Sequence, residues 1–229
     1  MIDRATDQDV ERLAWLALLP VLSTTLYYAL PADLQRLWTI QFAPQVLAYL
    51  GLAIWAGRNR AILTKLGLSP SLLVQGLRWG IPTGLALGVV NVSVILWLVP
   101  FIGGDIDFLR HTPHAQAPAV MMLPWAILII AVGVELNFRG FLLGRLLALC
   151  SGSSIPSRLS PALALGGSAL VFSFDPFMTA TFKHLHWIAL WDGMVWGVLW
   201  LCLRNLYATI AAHAVEVIVM YAVLKVVLS

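Results

Sequence analysis

An all-α bundle of about seven membrane-crossing helices is the fold that this 229-residue sequence predicts, and three observations predict it. Hydrophobic residues make up 60% of the chain and charged residues only 11%, where a soluble domain carries roughly 25% charge. Mean hydropathy is +0.88, and the apolar residues gather into runs near the roughly 20 residues that a helix needs to cross a bilayer. The bases fall in short loops between those runs, as the positive-inside rule has them. The net charge of +3 therefore calls for no nucleic-acid partner. The chain reads as a single transmembrane domain over residues 1–229, with membrane lipids as its surroundings.

Residues 1–12 carry Asp3, Asp7, Asp9 and Glu11 against Arg4 and Arg12 and read as a polar cap or short surface helix. No cleavable signal peptide is evident there. The first span covers about 12–30, and the turn Pro31-Ala32-Asp33 leads to the second, about 37–56, in which Pro44 is a tolerated kink. Arg58, Arg60 and Lys65 follow with no acid before Arg78, which assigns this loop to the cytoplasm and starts the N-terminus inside. Within it, LGLSPSLLVQGLRWG has an apolar stripe and a Ser-Pro helix start, so a helix lying at the membrane interface is expected.

The third span, about 80–101, is rich in small residues and suited to close packing. Residues 102–118 form an outer loop in which His111 and His114 stand three apart; solvated histidines are the expectation and a metal pair the alternative. The fourth span begins after Pro118, and Arg145 and Arg158 bracket the loop that returns the chain to the cytoplasmic side. The fifth, about 160–174, is short, and DPFMTATFKHLH at 175–186 is polar enough to leave the core, with Asp-Pro starting a turn. The sixth and seventh cover about 187–203 and 206–228. Cys150 and Cys202 have no paired spacing, so neither a disulfide framework nor a metal motif is indicated, and no cofactor is expected. The ten Trp suit interfacial belts or contacts with a lipid-like ligand.

The chain is organised around AVGVELNFRGFLLGRL, residues 131–146. Glu135 and Arg139 are the only charges between Ala119 and Gly144, although a charge at mid-bilayer costs about 2.5–3.5 kcal/mol on insertion scales. Their i,i+4 spacing, acid first, is the favourable order for a helical ion pair. Gly140 and Gly144 follow on a small-xxx-small spacing that invites a second helix. In the last span His213 and Glu216 are i,i+3 and share a face, so the carboxylate could orient the imidazole. Asp192 is read as a residue at a span edge.

The segment VELNFRGFLL resembles the first motif of the CPBP family (CAAX protease and bacteriocin-processing, or Abi), intramembrane proteases in which the motif reads Glu-Glu-x-x-x-Arg, commonly followed by Gly. RNLYATIAAHAVEVI resembles the family's last motif, His-x-x-x-Asn or Asp, and SALVFSF the lead-in to the middle one, Phe-x-x-x-His; together they cover about 118–220. The resemblance implies a helical bundle whose polar pocket opens to the membrane and receives an extended peptide. It also implies departures. The family's first Glu, which activates water, is Val134 here; the second is Glu135, held by Arg139. Counting from Phe172 puts Pro176 at the middle His, while the register Phe182 to His186 keeps the motif but leaves only 27 residues to His213. His213 is kept, and Val217 replaces the Asn or Asp.

Peptide hydrolysis needs a general base for water and donors for the oxyanion. Val134 cannot accept a proton, and Glu135 lies about 100° further round the helix. Three functions follow. The first is a non-catalytic CPBP-fold accessory or scaffold subunit of a membrane complex. The second is an active but divergent intramembrane endopeptidase, with Glu135, Arg139, His213 and Glu216 as its site and Asp175, His184 or His186 folding inward. The third is a pigment- or lipid-binding subunit. A carboxylate or imidazole within about 3–4 Å of His213 favours the second.

Overall fold

The computed structural model describes residues 11–228, and among them every regular element is helical. Asp3, Arg4, Asp7 and Asp9 of the expected polar cap lie outside the described residues. Helices stand where the sequence places spans: α1 (Ala14–Ala29), α2 (Ala43–Arg58), α3 (73–101), α4 (Ala119–Ser151), α5 (Ser160–Ser173), its bent extension α6 (Pro176–Phe182), α7 (Ile188–Leu203) and α8 (Leu206–Val227). Three stretches are long and apolar enough to cross a membrane: Ile62–Phe101, which contains α3, then α4 and α8. Ser160–Ser173 with Pro176–Leu185, bent by 52°, makes a fourth if the pair is one span, and α1 and α7 are shorter apolar helices.

The connections sort into two ends, as alternating spans require. At one end the chain start meets the loop after α2, where the Arg12 N–H donates to Asn59 Oδ1 at 3.0 Å. There Glu11 takes the Trp55 indole N–H and pairs with Arg145, whose guanidinium lies over the Trp55 ring. Leu206 N–H donates to Gly67 O at 2.8 Å, which fixes the start of α8 at the same end. At the other end Gln45 meets Asp175, Tyr28 meets Phe174, and Lys225 reaches Ala115 O.

The segment LGLSPSLLVQGLRWG differs from its expectation. Pro70 does begin a helical turn, but from Leu73 the chain runs straight into α3 rather than lying at the interface. The reason is a seam of buried glycines, Gly76, Gly80, Gly84 and Gly88, one per turn, that lets α3 lie directly on α8. A Cβ on Gly76 would stand 2.6 Å from Tyr207 Cβ and one on Gly88 2.8 Å from Val219 Cβ. At Gly80 and Gly84 it would overlap the carbonyl oxygens of Ala208 and Ala212. Gly76 and Gly80 both lie within that segment, so the docking surface claims the turns assigned to the interface. Gly140 and Gly144 do a milder job: added Cβ atoms would meet the side chains of Leu206, Leu66 and Trp200 at 3.3 Å.

In α4, Leu136–Leu143 is wound as a π-helix, a widened turn common at functional sites, and Asn137 to Leu143 are all buried. Asp175 caps α6 by accepting from the N–H groups of Phe177 and Met178, and the chain turns by 52° there, with residues 177–184 half-buried or exposed.

If the glycine seam holds α3 on α8, Gly84→Ala should lower unfolding stability in detergent by about 1–3 kcal/mol, the usual range for overpacking. Gly166→Ala, where nothing lies within 4 Å of the new Cβ, should not. Equal effects would show that the seam does not hold these helices.

Candidate functional site

Glu135 is the hub. It is 0% exposed, and its Oε1 accepts from Arg139 Nη1 at 3.2 Å and from His213 Nδ1 at 2.9 Å, tying α4 to α8. The i,i+4 ion pair is therefore formed as the spacing predicts. The partner of His213 is Glu135 from the opposite helix, not Glu216 three residues along its own. Because a carboxylate only accepts, Nδ1 carries a hydrogen and the ring's other nitrogen, Nε2, is left to face other groups. No further hydrogen bond to the ring is made among the described residues. The ring is stacked on Trp196 at 4.3 Å and 17°, and Arg139 lies over Trp196 and Phe172 at 4.8 and 4.5 Å. Aromatic faces thus supply the attraction that water would give a buried guanidinium.

A second cluster joins α3, α7 and α8. Trp191 Nε1–H donates to Asn91 Oδ1 at 2.8 Å, and since indole can only donate, this fixes which end of the Asn91 amide is oxygen. The Nδ2 group then donates to Asp192 Oδ1 and Oδ2 at 3.0 and 3.2 Å and to Glu216 Oε1 at 2.6 Å. Asn91 Nδ2 thus bridges the carboxyls of Asp192 and Glu216 and holds them side by side. Two carboxylates held on one amide repel each other unless they share a proton. Asp192, the fifth residue of α7, is buried within the bundle.

Both clusters border one cavity of about 410 Å³. His213, Asp192, Glu216, Asn137, Trp196 and Asp175 line it, with mostly apolar side chains between them, and it extends to Arg110, His114 and Lys225 of the loop end. Glu135 does not line it; Val134 does, as the turn of about 100° between neighbours requires. Val217 lines it too. The cavity is therefore apolar at two positions where the resembled family is polar. Pro176 is buried behind it, while Asp175, one residue earlier, lines it with its carboxylate held by Gln45 Nε2 at 2.6 and 2.7 Å. His186 also lines it; His184 is exposed and packs on Phe108. His111 is exposed, and His114 stacks with Phe182, where burial pushes its imidazole pKa down. No group of three or more metal-ligating side chains occurs among the described residues.

Two of these residues escaped the sequence reading. Asn91 gives no local signal, because its partners lie 100 to 125 residues away. Asn137 sits between Glu135 and Arg139 in the very motif that drew attention, and its burial at 2% exposure with an unpartnered Oδ1 marks it.

Residues 116–219, a little under half of the chain, match the family model described as type II CAAX prenyl endopeptidase Rce1-like. The match supports membership of the chain in the CPBP/CAAX protease family, over the stretch that carries Glu135, Arg139 and His213. No curated protein and no solved structure matches the chain.

Removing one partner of a buried ion pair strands the other, so Glu135→Ala should cost about 3–5 kcal/mol in denaturant unfolding. Glu135→Ala with Arg139→Met should cost less than the two single changes summed, by about 1 kcal/mol or more. Strict additivity would contradict the coupling.

Proposed function

We propose that this chain is a divergent intramembrane endopeptidase, which admits a membrane-embedded peptide to the cavity and hydrolyses it with polar groups other than the family's usual set. The observation that carries the reading is the convergence on one cavity of His213, fixed by Glu135 at 2.9 Å, with the carboxyls of Asp192 and Glu216. Hydrolysis needs a group to take a proton from water and one to meet charge on the carbonyl oxygen. The carboxyls serve the first need, and His213 serves the second in its doubly protonated form, in which the cavity-side Nε2 carries a hydrogen as well as the Nδ1 held by Glu135. Water is not activated from position 134, where Val134 has no acceptor. The apolar walls fit a peptide drawn from the bilayer or one that carries a lipid chain.

A second reading has its own support: with Val134 and Val217 on the cavity wall, the fold could hold a partner's segment without cutting it, as an accessory or scaffold subunit. The same apolar walls would suit a lipid or pigment. For topology we infer a bacterial inner membrane with the N-terminus in the cytoplasm, since Arg58, Arg60, Lys65, Arg145 and Arg204 gather at or near the end where the chain starts.

Purified protein in lipid bilayers, given single-span peptides and peptides with prenylated C-termini, should release new termini. His213→Ala should slow the release about 100-fold or more, the effect of removing an oxyanion donor. No release above the His213→Ala background would hand the cavity to the accessory reading, and a co-purified small molecule filling it would favour the lipid or pigment reading.

A further inference from the structure

We propose that Asp192 and Glu216 form a paired-acid dyad that activates water in this cavity, and that the cavity's own unpartnered groups select an amide as substrate. The inference rests on the hydrolytic reading above and assigns the acid and base that it requires. The geometry supplies both at once. Asn91 donates to both oxygens of Asp192 but to only one of Glu216, so Asp192 is the better-held anion and Glu216 the holder of the shared proton. Asn91 is in turn fixed by Trp191, so helices α3 and α7 aim the pair together. Glu216 lies one turn beyond His213 on α8, which puts the pair and the imidazole along the same stretch of cavity wall.

An independent observation points to the ligand. Asn137 Oδ1 is a buried acceptor with no partner, and Trp196 Nε1 is a buried donor with no partner. Both residues are 2% exposed and both line this cavity. Buried polar groups are normally satisfied, so a vacant acceptor and a vacant donor in one cavity call for a ligand that brings N–H and C=O together. A peptide backbone does so at every residue.

The chemistry closes with one water consumed. The Asp192 carboxylate takes a proton from water as the water oxygen bonds to the carbonyl carbon, and Glu216 gives its proton to the carbonyl oxygen, leaving a neutral gem-diol. Asp192 then passes its proton to the amide nitrogen as the C–N bond breaks. One gem-diol hydroxyl returns a proton to Glu216, and the products are a carboxylic acid and an amine. A purely structural role, pinning α3, α7 and α8 together, would need no proton exchange and no open space beside the pair.

The full chain in bilayers, with the peptide it cleaves fastest, tests this. Asp192→Asn and Glu216→Gln keep size and one acceptor oxygen but remove the titratable group, and should each lower kcat by about 10²–10⁴, the range of general acid–base catalysis, with KM little changed. Glu216→Asp, which keeps a dyad, should retain more activity than Glu216→Gln. Cleavage unaffected in both isosteric variants would overturn the dyad and leave the hydrolytic reading to His213; no cleavage by the wild type would remove both. Infrared spectroscopy gives a readout apart from activity: a protonated-carboxyl C=O band should be present in the wild type, shifted in Asp192→Asn and lost in Glu216→Gln. Its absence from the wild type would overturn the shared proton whatever the kinetics.

Discussion

Helix α8 can lie against α3 only because Gly76, Gly80, Gly84 and Gly88 have no side chains, and the rest of the bundle's interior depends on that approach. In a bilayer, lipid tails solvate apolar side chains as well as a neighbouring helix does, so helices associate through close backbone packing and buried polar contacts. The glycine seam provides the packing. Its direct consequence is the position of Asn91, one turn past the last buried glycine, within hydrogen-bonding distance of Glu216 on α8 and Asp192 on α7.

The second constraint is that a charge in this setting must be satisfied by the protein itself. Glu135 answers Arg139 and His213 with a single oxygen, and the aromatic faces of Phe172 and Trp196 cover the guanidinium. The result is a rigid support behind the cavity. Glu135 itself never reaches the cavity; His213 does, in an orientation that Glu135 dictates. Support and cavity wall are thus separate, and the wall is apolar at Val134 and Val217.

The parts legible in the sequence were those with local signals. Apolar runs and loop bases gave the helices and their alternation between two ends, and an i,i+4 acid–base pair in a chargeless stretch gave Glu135 and Arg139. His213 stood out as an imidazole in the middle of an apolar helix. What stayed hidden depends on contacts between distant segments or on winding. The burial of Asp192 gave no local signal, because Asn91 and Glu216, which pack beside it, are far away in sequence. The π-helical turn over Leu136–Leu143, which accompanies the burial of Asn137, has no compositional mark. The glycines at 76 and 80 were read as part of a surface helix, because their docking partner, α8, appears some 130 residues later.

Catalysis is tighter binding of the transition state than of the substrate. The most direct measurement is therefore the melting temperature of the protein with a peptide whose scissile carbonyl is replaced by a tetrahedral hydroxyl, compared with the matching amide peptide. The account predicts a larger upward shift with the tetrahedral mimic, and loss of that difference in Asp192→Asn. Equal shifts with both peptides, or no shift with either, would contradict a hydrolytic centre in the cavity.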